Sequence, residues 1–260
     1  MEIIIVITLM GILAGVLTPI ISYSTRAYIA SQARSELTAR SRLALQRLAR
    51  EIRVTVPNSI KLNGSGSEIT FVTSKAGGML LREDDTRIFE TNCPANQRFR
   101  TATPLSQLCL IYPATTPFFV DGDLFVIGNS TPALLSSGDT TFAATAVTHS
   151  SLLWKIAFTS KSFTYDSPSS RFMVIDSTHR LRLMNGALYW RSESGFSSAL
   201  YDLDSSQVSS SHPMLIHGIA NSTIFNYQAG IEDLLKISLS LQQGDELITI
   251  EEQIDVRISY

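Results

Sequence analysis

MEIIIVITLMGILAGVLTPIISYSTRAYIASQARSELTARSRLALQRLAREIR, residues 1–53, is the stretch that decides the fold. It reads as one long helix in two halves. Residues 3–21 contain no charged side chain. At about 1.5 Å per residue that run is long enough to cross a hydrocarbon core of roughly 30 Å. One carboxylate, Glu2, stands at its mouth. A charge costs on the order of 2.5–3.5 kcal/mol at mid-bilayer and less near an edge, so Glu2 asks for a partner. Pro19 is expected to kink the helix rather than end it, because helix-compatible residues resume at once. From Ala27 the pattern is amphipathic. Ala30, Ala33, Leu37, Ala44, Leu48 and Ile52 recur at near-helical spacing, Leu45 widens the stripe, and arginines occupy the other faces. Such a stripe is expected to pack on the protein's own sheet. The helix should stop near Arg53, where Val54, Thr55 and Val56 are β-branched and Pro57 forces Val56 towards an extended conformation.

Beyond Pro57 the chain changes to short β-like runs. SIKL and EITFVTS flank NGSGS, a hairpin loop. KAGGMLLR holds a glycine pair that reads as a turn or bulge. Residues 83–107 are polar and loop-like. LCLIYPA, DLFVIGN, SLLWKIAF and RFMVIDS read as strands, and RLRLM meets ALYWRS at Asn185-Gly186, the strongest hairpin signal in the chain. STIFNYQAG reads as a strand ending in a turn, and KISLSLQQ pairs with ELITIEEQIDVRIS through Gly244-Asp245. Ser-rich stretches at 164–170 and 205–211 read as loops. One long helix followed by nothing but antiparallel strands is an α+β architecture. The expected organisation is a membrane-spanning half-helix at 1–22, an amphipathic half-helix at 23–53 and a β-rich globular domain at 54–260.

The net charge of −2 hides an asymmetry. Residues 1–53 hold seven Arg and three Glu, and residues 54–260 hold fourteen Lys or Arg and twenty Asp or Glu. A basic stretch can serve nucleic acid, but arginines that directly follow a membrane span more simply face lipid headgroups or acidic neighbouring subunits. The two cysteines, Cys93 and Cys109, close a short polar loop containing Pro94 and Pro104. In an exported domain such a pair favours a disulfide, worth roughly 3 kcal/mol by loop-closure entropy. The alternatives are two free thiols or a metal pair, and no nearby Cys or His completes a zinc set. His149, His179, His212 and His217 sit in no metal-binding spacing, and there is no GxSxG, P-loop or GxGxxG. Asp121-Gly-Asp123 and Asp202-Leu-Asp204 do not fit a calcium loop and read as solvated turn acids. Trp154, Tyr189 and Trp190 fall in strands and read as core rather than as a binding platform. No catalytic set, metal or cofactor is expected.

Glu2 followed by IIIVITLMGILAG, with Pro19 further on, resembles the N-terminal segment of type IV pilins and type II secretion pseudopilins. Glu2 matches the family glutamate and Pro19 the family's helix-kinking proline. SRLALQRLAREIRVTVPNSIKL, followed by EITFV and KAGGMLLR, narrows the resemblance to minor pilins of MshO type from the MSHA pilus system, and the closing EEQIDVRIS is similar to the last strand of larger pseudopilins. Residues 83–210 align with nothing, so a J-type minor pseudopilin of a type II secretion system is the alternative. The family's basic leader, its cleavage-site glycine and its Phe-Thr-Leu are missing, and Met1 stands where the family usually has an aliphatic residue. The expectation is that the true start lies upstream and that residue 1 is a GTG valine codon.

The resemblance implies a pilin-like fold, in which the long helix projects from an antiparallel domain. It implies assembly through Glu2, paired with the N-terminal amine of an adjacent subunit, and no enzymatic activity. The implied partners are other major and minor pilins or pseudopilins, a prepilin peptidase that cuts and methylates the chain, and an inner-membrane assembly platform. The protein would be single-pass in the bacterial inner membrane, with its domain in the periplasm, and would start or cap a filament. Lys/Arg bias alone points the other way: nothing basic precedes the span while Arg26 and Arg34 follow it, and a basic leader would reverse that orientation. Two readings of other kinds are a plain signal anchor and a membrane-anchored periplasmic binding or enzyme domain.

Overall fold

A computed structural model describes residues 2–84, 93–112, 120–150, 153–167, 170–204, 207–228 and 234–256. Met1 and residues 257–260, the end of the EEQIDVRIS run read from sequence as a strand, lie outside the described residues. The first element is α1, Glu2–Arg53, a continuous 52-residue helix that runs through Pro19 and ends where the β-branched run begins. Pro19 removes one backbone donor from the helix interior. Around it hydroxyls turn back onto the backbone: Thr18 Oγ1 donates to the Ala14 carbonyl at 2.7 Å and Ser22 Oγ to the Pro19 carbonyl at 2.9 Å. Thr8 and Thr25 do the same to Ile4 and Ile21. A polar side chain bonded in this way within its own helix exposes no unmet donor to an apolar medium.

The second half of α1 is held on the domain. Leu37, Ser41, Ala44, Leu45, Leu48, Ala49 and Ile52 are its buried residues. This is the stripe read from the periodicity, extended by Ala49 and by Ser41, whose hydroxyl donates to the Leu37 carbonyl at 2.7 Å. Ala30 and Ala33, at its upper end, are half-buried.

Among the described residues twelve strands follow: β1 (Lys61–Leu62), β2 (Glu68–Leu80), β3 (Pro104–Ile111), β4 (Leu124–Ile127), β5 (Thr141–Ser150), β6 (Leu153–Ser162), β7 (Arg171–Met184), β8 (Ala187–Ser194), β9 (Met214–His217), β10 (Phe225–Gln228), β11 (Leu234–Gln243) and β12 (Glu246–Asp255). Every strand pairing among the described residues is antiparallel. The fold class is therefore α+β. Asn185 and Gly186 both take positive φ and join β7 to β8 as the Asn-Gly signal requires. The Gly244-Asp245 turn likewise joins β11 to β12.

Several expectations need correction. The chain after α1 is not all strand: α2 (Pro132–Ser137), α3 (Ser198–Tyr201) and a 3-10 turn at Ala95–Gln97 intervene. RFMVIDS and RLRLM form one strand, β7, because Thr178 and His179 between them pair with both β2 and β8 rather than turning. The glycine pair at 77–78 lies inside β2. Its register against β7 slips earlier, around Ser74, and the small residues let the Phe172 ring close over Gly78. β5 and β9 were not expected.

The strands share one spine. β2 and β7 pair along almost their whole length, and β2, β3, β6, β5, β4 and β7 close into a six-stranded ring. The far end of the spine belongs to that ring. Its interior is packed by Leu80, Leu108, Leu110, Phe125, Phe142, Trp154, Ile156, Phe158 and Phe172. The near end of the spine carries β1, β8 and β9, and with the sheet β10–β11–β12 it forms the surface that receives α1. Ile69, Phe71, Leu181, Leu188, Trp190, Ile216, Leu239, Leu241 and Ile254 meet the helix stripe there. α2 and α3 cover the opposite face of the spine with Leu135 and Tyr201 against Val72, Val126 and Met173.

Candidate functional site

The residues singled out from sequence fall at two places. Glu2 lies in the first turn of α1 and is exposed. Beyond it Ile3, Ile4, Ile7, Met10, Ile12, Leu13, Val16, Leu17, Ile20 and Ile21 are each more than half exposed. One helix of the described residues is thus long and apolar enough to span a membrane, and none of its most apolar window is buried by the domain. Uncovered apolar surface on this scale does not stay in water. The exposed Tyr23 and Tyr28 and the intervening Arg26 follow the apolar run, which is the composition of a membrane–water boundary.

Past the apolar run α1 is fastened by charge as well as by its apolar stripe. The Arg34 guanidinium grips the Glu246 carboxylate with two nitrogens, Nε to Oε2 and Nη2 to Oε1, the latter at 3.2 Å. This ties the helix to the first residue of β12, and Glu246 holds the Arg34 pKa above its ordinary value. Arg40 pairs with Glu36 one turn before it and reaches His217 Nε2 at 3.4 Å. Arg47 lays its guanidinium 4.9 Å from the centre of the Trp190 ring.

Cys93 and Cys109 form a disulfide, both sulfurs fully buried against Leu81 and Leu153. Cys109 stands in β3 opposite Lys155 of β6, so the bond pins the preceding loop to the wall of the ring, far from Glu2 in the fold. The acids weighed as calcium ligands are turn residues with partners of their own. Asp123 accepts from Lys75 Nζ at 2.8 Å and from the Val120 amide at 2.7 Å, and Asp121 accepts from the Val147 amide at 2.8 Å. Asp202 Oδ1 accepts from the Asp204 amide at 3.2 Å. Among the described residues no three His, Cys, Asp or Glu side chains gather around one point. Trp154 and Trp190 are buried in the ring and under the helix respectively, while Tyr189, between its neighbours, is half-buried on the other face of β8.

Two polar arrangements had no signal in the sequence. Glu68 and Arg180, diagonal neighbours across the β2–β7 ladder, form a buried ion pair, and Arg180 also donates to the Asp202 and Leu203 carbonyls. His179 is sandwiched under Phe71, 5.2 Å between ring centres. Trp190 Nε1 donates to its Nδ1 and its Nε2 faces Thr73 Oγ1, both at 3.1 Å. Burial pushes this imidazole down to about 4. Neither places a nucleophile beside a base in a cleft, and both sit within the packing that carries the helix.

No family model, curated protein or solved structure matches this chain.

Proposed function

We propose that this chain is a minor pilin or pseudopilin, a non-enzymatic single-span protein that enters a filament through its N-terminal helix. The observation that carries the reading is the division of α1. One half is an apolar rod led by Glu2 and projecting free of the domain, and the other half is clamped to an antiparallel sheet by its stripe and by Arg34. A rod of this kind has two uses, storage in a bilayer and burial among the helices of like subunits. In either apolar setting Glu2 gains most by meeting a positive group, such as the amine of a neighbouring subunit. The residues that resemble MshO-type minor pilins favour an MSHA-type pilus as the filament. The J-type pseudopilin of a type II secretion system is the nearest second reading. The domain is expected in the periplasm, where a disulfide persists. Its proposed partners are other pilins or pseudopilins, the prepilin peptidase and the inner-membrane assembly platform.

Glu2→Ala and Glu2→Leu test this. The variants are expected to accumulate in the inner membrane at the normal level while pilus formation or secretion stops. A membrane-anchored binding domain or enzyme would tolerate either change, because removing the charge only eases burial of the span. Undiminished filament assembly by Glu2→Leu would overturn the pilin reading.

A further inference from the structure

We draw no further inference here: the strongest candidate, the open groove between α1 and the edge strand β9 that Leu43, Arg47, Trp190 and Met214 line, carries nothing, because Arg40 at its rim is already paired with Glu36 and Arg191 with Glu193, and nothing in the structure shows what covers its apolar floor.

Discussion

Arg180 Nε donates to Glu68 Oε1 at 2.6 Å across the β2–β7 spine, with the two side chains 1% and 7% exposed. The guanidinium also reaches the carbonyls of Asp202 and Leu203 just beyond α3, so one residue joins the spine to the elements that cover it. Glu68→Ala would take the carboxylate away from that buried charge, and removing one partner of a buried pair costs about 3–5 kcal/mol. Glu68→Ala is expected to lower stability by that order in urea unfolding of the full chain. A Glu68→Leu/Arg180→Met double variant should recover much of the loss. Equal stability of Glu68→Ala and the parent would contradict the assigned role.

His179 makes the domain sensitive to acid. Its imidazole titrates at about 4 in the fold against 6.5 in the open chain, chiefly because it is buried, with Asp176 pulling weakly the other way. The folded value is depressed, so the unfolded state binds the proton first. The stability this histidine supplies is whole above about pH 6.5 and is lost as pH falls towards 4. The Trp190 N–H occupies Nδ1, so protonation must also break that bond. Unfolding free energy measured from pH 7.5 to 4.5 should slope downwards, and His179→Phe should flatten the slope. An NMR titration placing the His179 ring above pH 6 would refute the assignment.

The disulfide holds a loop to the ring without touching the helix interface. Cys93→Ala/Cys109→Ala is expected to cost roughly 3 kcal/mol, the loop-closure value for a separation of this size. The damage should be local, with protease cutting first near residues 93–112 while α1 remains docked. Limited proteolysis followed by mass spectrometry decides this, and first cleavage within residues 30–53 would argue against it.

Leu48 and Leu43 separate the two faces of α1. Leu48 is fully buried on the sheet, and truncating a buried leucine to alanine costs about 2–5 kcal/mol. Leu43, five residues earlier, is exposed and should lose less than about 0.5 kcal/mol on the same change. Paired denaturation curves of Leu48→Ala and Leu43→Ala check the prediction, and comparable losses would mean that the helix docks by a different face.

Residues 1–53 were legible because a helix displays its purpose in its period. Nineteen uncharged residues, then a stripe from Ala30 to Ile52, specify an apolar rod and a docked half without reference to anything distant. The tight hairpins at Asn185-Gly186 and Gly244-Asp245 were legible for a similar reason, since positive φ selects those residues locally. The helix stop before Pro57 and the nearby cysteine pair belong with them. What only the tertiary structure decided is which strands meet. β2 pairs with β7 about a hundred residues away, and through that pairing six strands close into a ring. No local pattern encodes this, because a strand's alternation marks which side is buried and not which partner buries it. The same limit hid Glu68, Arg180 and His179, whose residue types are mostly exposed or only partly buried in folded proteins. They became interior only when long-range pairing brought each its hydrogen-bond partner and so offset the cost of leaving water. The hollow between Leu43 of α1 and Met214 of β9 has the same origin, for it exists only where two elements about 170 residues apart in the chain are laid side by side.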